Sequence, residues 1–131
     1  LIFFHPDDAA LAEFHRKRSG HLWSKHRYLA AQFDAYLQDD LWLRLASKSN
    51  DKMAQVKDVI DATDFISVVA GGDANELFVT MKPDVAAFLY EKGHTFFSWP
   101  SLPNAYRLVT SFTTEQQEID ALRNDLSGFK G

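Results

Sequence analysis

Residues 65–81 read FISVVAGGDANELFVTM, and this stretch decides the fold. Phe65–Val69 is β-branched and aromatic, which suits a strand, and Gly71-Gly72-Asp73 closes it with a turn. Leu77–Met81 then reads as a second strand. Pro83 suits the first turn of a helix whose apolar face is Val85, Phe88 and Leu89, and Gly93 is a left-handed stop for it. Thr95–Trp99 is a third strand, followed by the turn residues Pro100-Ser101-Leu102-Pro103-Asn104. Tyr106–Phe112 is a fourth, with Tyr106, Leu108, Thr110 and Phe112 on one side and Arg107, Val109 and Ser111 on the other. Thr113 with Gln116 resembles a capping box ahead of a last helix striped by Ile119, Leu122, Leu126 and Phe129.

Upstream of this unit the pattern is helical. His5-Pro6-Asp7-Asp8 is a turn in which Asp7 or Asp8 suits an N-cap, and Ala9–Lys17 reads as a short helix stopped by Ser19-Gly20. From about Ser24 a second helix places Leu29, Phe33, Tyr36 and Leu37 on one stripe with the spacing of a buried face. Asp39-Asp40 gives a break or a new cap. Trp42, Leu45, Ala46, Met53, Val56 and Ile60 then keep helical period to about Ala62, long enough for a connector between two parts of a larger protein. The order is helices first, then β-β-α-β-β-α. It predicts an α+β fold with helices on one face of a small, mostly antiparallel sheet. The expected division is 1–40 as the tail of a missing large domain with interdomain helices, and 41–131 as a small C-terminal domain.

Leu1-Ile2-Phe3-Phe4 is apolar throughout and suits a strand buried on both faces. This reads as the end of a sheet whose other strands lie upstream, so the chain is expected to be a fragment. The alternative is an ordinary edge strand. The 131 residues are 46% hydrophobic, with 14% aromatic content and eleven Phe, which excludes a disordered chain. There is no cysteine, so disulfides, thiolate metal sites and a cysteine nucleophile are excluded. No apolar run approaches the roughly 20 residues that span a bilayer, no signal peptide is visible, and a cytoplasmic setting is the expectation.

The net charge is −4, yet His15–Gln32, read HRKRSGHLWSKHRYLAAQ, carries Arg16, Lys17, Arg18, Lys25 and Arg27 and no acid. Positive charge concentrated on an acidic protein points to a local phosphate or carboxylate rather than to a nucleic-acid surface. The alternative is a solvated basic turn between helices. With Lys25–Arg27 at a helix N-terminus, free backbone N–H groups and cations converge, which favours a phosphate. A cation there also opposes the helix dipole unless an anion offsets it. Arg107 is a lone cation in an otherwise apolar and hydroxylic strand. Either it grips a carboxylate through two parallel hydrogen bonds, or it faces water or a structural acid. His21 and His26 are five apart with no carboxylate among them, a poor metal site, and no Gly-x-Ser-x-Gly elbow, P-loop or dinucleotide fingerprint is present. Asp7-Asp8 and Asp39-Asp40 sit at helix starts, where they offset the dipole.

Several pieces resemble the low-specificity L-threonine aldolases. They are Arg16-Lys17-Arg18 with Gly20, Ser24-Lys25-His26-Arg27-Tyr28-Leu29-Ala30-Ala31-Gln32, Tyr36-Leu37, Asp39-Asp40-Leu41-Trp42-Leu43, Asn75-Glu76-Leu77-Phe78-Val79, and Tyr106–Phe112 with Thr113-Thr114. Their order and spacing resemble the C-terminal third of that family, whose enzymes share the fold-type I pyridoxal-phosphate architecture. The resemblance implies a lyase of amino-acid metabolism that splits L-threonine, L-allo-threonine and related β-hydroxy-α-amino acids into glycine and an aldehyde. It implies a pyridoxal 5'-phosphate cofactor held on a lysine upstream of Leu1, so that no catalytic residue lies in this chain and the chain alone is inactive. It also implies a large N-terminal domain and a homo-oligomeric parent. Arg27 matches an arginine that reaches a cofactor phosphate, Arg107 one that binds the substrate α-carboxylate, and Lys17 a basic position near the active-site entrance. Two alternatives stand beside this: a free-standing α+β binding module using the basic turn for RNA or an acidic partner, and a structural or dimerisation domain. The negative net charge and few exposed aromatics weigh against RNA.

Overall fold

A computed structural model describes residues 3–129 of the chain. The chain divides at Asp39–Asp40 into two units, each with its own internal contacts. The first holds α1 (Pro6–Ala9), α2 (Ala12–Arg18) and α3 (His26–Leu37). The second holds α4 (Leu41–Asp61), β1 (Ile66–Gly71), β2 (Glu76–Met81), α5 (Pro83–Glu91), β3 (Phe97–Ser98), β4 (Ala105–Val109) and α6 (Gln116–Gly128).

The second unit is the expected α+β arrangement. Its strands form one antiparallel sheet in the order β1-β2-β4-β3. Along β2 burial alternates strictly, with Leu77, Val79 and Met81 inward and Glu76, Phe78 and Thr80 outward, the period of two that a half-buried strand requires. The core lies on the inward side. Met53, Val56, Val59 and Ile60 of α4, Val85, Ala86 and Leu89 of α5, and Ile119, Leu122 and Leu126 of α6 pack with Ile66 and the inward residues of β2. Tyr90 stacks on Phe96, and its hydroxyl donates to the Phe96 carbonyl at 3.1 Å. Burial, with a smaller push from Tyr106, raises its pKa, so the phenol remains a donor at neutral pH.

Several local expectations change. Of the apolar N-terminal run, Leu1 and Ile2 lie outside the described residues, while Phe3 and Phe4 form no strand and are exposed. The helix expected over Ala9–Lys17 is two pieces. It starts earlier, with Pro6 in the first turn and His5 rather than an Asp in the N-cap position, and it breaks at Ala10–Leu11. No residue from 3 to 39 is buried. Short helices are marginal without a packed face, so nothing local holds this one continuous. The α3 stripe keeps its helical spacing, but Leu29, Phe33, Tyr36 and Leu37 are exposed rather than buried. The Asp39-Asp40 break is made by the backbone: both residues are left-handed (φ 51° and 57°), and Asp40 makes no side-chain cap bond to α4. β3 shrinks to two residues, and β4 ends at Val109, leaving Phe112 outside it and exposed. The α6 capping box is Glu115 with Glu118, whose carboxylate accepts from the Glu115 N–H at 2.7 Å. The Thr113 hydroxyl is engaged with that of Ser111 instead, at 2.6 Å.

Gly71 is required by the turn between β1 and β2. Its φ is 88°, and a Cβ there would lie 2.5 Å from the Glu76 carbonyl oxygen. Gly71→Ala is therefore expected to cost about 1–3 kcal/mol, from a disfavoured backbone region and from displacement of the Glu76 backbone. Thermal unfolding of the variant checks this, and an unchanged Tm would show that the turn relaxes freely.

Candidate functional site

Arg107 lies on β4, between β2 and β3, so it is not an edge-strand residue. Alternation places it on the outer face, opposite Leu108, which packs against the core. Across the strands it pairs with Phe78 on β2 and Phe97 on β3. Its guanidinium carbon stands 5.5 Å from the centre of the Phe97 ring, a cation–π distance. Phe78 meets Trp99 edge-on with centroids 4.9 Å apart.

The lone cation of the sequence has a partner that its strand does not reveal. Arg107 Nη1 lies 3.6 Å from Glu76 Oε1 on the neighbouring strand. That exceeds the roughly 2.7–2.9 Å of a charge-assisted hydrogen bond, so the carboxylate balances the charge without taking up a donor fully. Arg107 Nε is buried and has no hydrogen-bond partner among the described residues. A buried guanidinium N–H without an acceptor is costly. This one belongs to a side chain whose planar fork suits a carboxylate.

The strand ends around this pair are clasped. Asn75 Nδ2 donates to the Thr110 carbonyl at 2.9 Å, and the Thr110 N–H donates to the Asn75 carbonyl at 3.0 Å. The buried Thr110 hydroxyl donates to the Ser49 carbonyl of α4 at 2.8 Å. These bonds tie β2, β4 and α4 together just beyond Glu76 and Arg107, so the pair stands on fixed backbone.

Arg27 is in the first turn of α3, as expected. The helix begins with no side-chain cap and no acid in its first turn. The Arg27 side chain is exposed, donates to the Tyr28 hydroxyl at 3.3 Å and stands 5.0 Å from the Tyr28 ring centre. The Trp23 N–H donates to His26 Nε2 at 3.0 Å, which fixes the approach to the helix. Lys17 is exposed in α2. Neither Lys17 nor Arg27 forms an ion pair among the described residues. Lys17 and Arg27 belong to the first unit and Arg107 to the second. Glu76 and Phe97 are the site residues that strand-by-strand reading misses. The alternation of β2 puts its one acid, Glu76, on the outer face, and the register between β2 and β4 then makes it a neighbour of Arg107. No group of His, Asp and Glu among the described residues could hold a metal ion. No described helix is long and apolar enough to cross a membrane.

The chain has a fold that solved structures share. Its fold is shared with the cystine C-S lyase C-DES, seen with its reaction product cysteine persulfide and, as a variant, with glycine covalently linked to the PLP cofactor. The two structures are 15% identical to this chain, with TM-scores of 0.56 and 0.54, covering 67% and 64% of it and 25% and 23% of theirs. A more particular likeness is to a threonine aldolase of Leishmania major, 25% identical with a TM-score of 0.80 over 91% of this chain and 35% of that one. The low specificity L-threonine aldolase of Pseudomonas aeruginosa is 28% identical over 126 residues, 96% of this chain. The resemblance carried by the sequence pieces is thus borne out along nearly the whole chain, and so is the fold class. The chain spans 36% of the length of that relative. No protein-family model matches it.

Proposed function

We propose that this chain is the C-terminal portion of a pyridoxal-phosphate-dependent aldolase that cleaves L-threonine, L-allo-threonine and related β-hydroxy-α-amino acids to glycine and an aldehyde. The observation that carries the reading is Arg107, a guanidinium on the open sheet face with a buried, unpartnered Nε, in a chain similar throughout to threonine aldolases. In this reading Arg107 binds the substrate α-carboxylate through two parallel hydrogen bonds, which fixes rotation about Cα and selects which bond is aligned to break. Pyridoxal phosphate, when bound, supplies the electron sink for the charge left at Cα. The lysine that carries it lies outside this chain, so the chain alone is inactive. Residues 1–40 then join the small domain, 41–131, to a large domain, and the exposed stripe of α3 is covered by that domain or by a neighbouring subunit of a cytoplasmic homo-oligomer.

Arg27 fits a phosphate. It is an exposed cation at an uncapped helix start, where free N–H groups add to its charge and no internal acid competes for it. Lys17 would add positive potential at the entrance. Arg27→Ala in the intact protein is expected to weaken cofactor retention about tenfold, the loss of one charge-assisted contact. Equilibrium dialysis followed by cofactor absorbance measures it. Unchanged retention would return Arg27 to a solvated role.

The test of the whole reading is cleavage of L-threonine and L-allo-threonine by the intact protein, with glycine and acetaldehyde measured as products. Activity that is present in the intact protein and absent from the isolated chain is the expected result. Intact protein that binds RNA but cleaves neither amino acid would favour the binding-module alternative.

A further inference from the structure

The second charge at the carboxylate clamp has no part in the reading above. Glu76 and Arg107 sit diagonally across β2 and β4, since Glu76 pairs with Val109 and Phe78 with Arg107. The Glu76 backbone is held in the turn: the Gly72 N–H donates to its carbonyl at 2.9 Å, and a Cβ on Gly71 would lie 2.5 Å from the same carbonyl oxygen. Its carboxylate is about as open as the guanidinium, with the two side chains 43% and 33% exposed. At 3.6 Å the pair is an ion pair without the short bond that would consume Arg107 donors.

We propose that Glu76 is the resting counter-ion of Arg107 and sets the affinity of the clamp by competing with the ligand carboxylate. This rests on the reading of Arg107 as that clamp. With no ligand, Glu76 balances a guanidinium that would otherwise stand partly desolvated and unpaired, and at 3.6 Å it does so loosely enough to leave the Nη donors of the part-exposed guanidinium for an incoming acid. When a ligand carboxylate arrives, two anions share one cation, and their repulsion subtracts from binding. The penalty applies equally to bound substrate and to the transition state, because the substrate carboxylate remains an anion throughout. Glu76 therefore acts on KM and not on kcat. It is a specificity-setting neighbour of the clamp and not a catalytic residue.

Glu76→Gln keeps the shape and removes the charge. In the intact protein it is expected to tighten binding of glycine, used as the carboxylate probe in calorimetric titration, by about three- to fivefold, the scale of a half-exposed ion pair. KM for L-threonine should fall by a similar factor, with kcat within about twofold. Glu76→Asp, which withdraws the carboxylate by one methylene, should move both in the same direction by less, and it keeps the test open if the Gln variant folds poorly. In an Arg107→Gln background, Glu76→Gln should no longer tighten glycine binding, since the coupling is with the guanidinium. Glycine binding that is weakened by Arg107→Gln but not tightened by loss of the Glu76 charge overturns the counter-ion role and leaves the clamp standing. Glycine binding indifferent to Arg107→Gln overturns both. A fall in kcat with unchanged glycine affinity would make Glu76 a support of the transition-state geometry and overturn the competition.

Discussion

Replacing Arg107 by lysine in the intact protein is expected to lower kcat/KM for threonine cleavage by roughly thirtyfold to a thousandfold, the equivalent of about 2–4 kcal/mol for a lost charge-assisted contact to substrate. Lysine keeps the charge. It loses the planar fork that gives two parallel bonds, and with it the fixed rotation at Cα. It also loses the face that stacks 5.5 Å from Phe97. Stability should change little, because the protein contacts at stake are one loose, part-exposed ion pair to Glu76 and one part-exposed cation–π contact with Phe97. Steady-state kinetics and thermal unfolding of the same variant decide between the two roles. Near-normal kinetics, or a large fall in Tm with unchanged kinetics, would place Arg107 in the scaffold.

The order of elements was legible in the sequence because each carries its own period. β2 alternates, α4 and α6 are striped at three and four, and Gly93 stops α5 with a φ of 91°. The face on which Arg107 stands followed from the same alternation. Its partner did not, because pairing between β2 and β4 crosses an intervening helix and depends on register, which a single strand does not encode. The Thr110–Ser49 bond, which spans 61 residues, was hidden for the same reason. The errors at helix ends are local competitions. Thr113 and Glu115 both suit a cap, and the Ser111 turn decides between them by engaging the Thr113 hydroxyl. In the first unit, periodicity on α3 read correctly as a helix and incorrectly as burial. Pattern states which face wants cover, and the described residues do not supply it.

Leu77→Ala is expected to cost about 3–4 kcal/mol, the common range for a fully enclosed leucine cut back to the first carbon. Leu77 is 0% exposed. It sits on β2 between Glu76 and Phe78, which face the other way, and its side chain enters the cluster formed with Met53, Val56, Ile60 and Ile119. The cavity would be bounded by the sheet and by helices, elements with little freedom to collapse, which favours the upper part of the range. For a unit of this size the fall in Tm is about 12–25 °C. Below that transition, the site on the outer face should keep its geometry, since the Asn75–Thr110 clasp and the Glu76–Arg107 pair do not involve the Leu77 side chain. Kinetics at low temperature should then stay within a few-fold of the parent while thermal unfolding shifts strongly, the reverse of the Arg107→Lys result. A small Tm change would mean that the inner face of β2 tolerates a void. A loss of activity far below the transition would mean that the two faces of this strand are mechanically coupled, and that the sheet transmits core packing to the guanidinium.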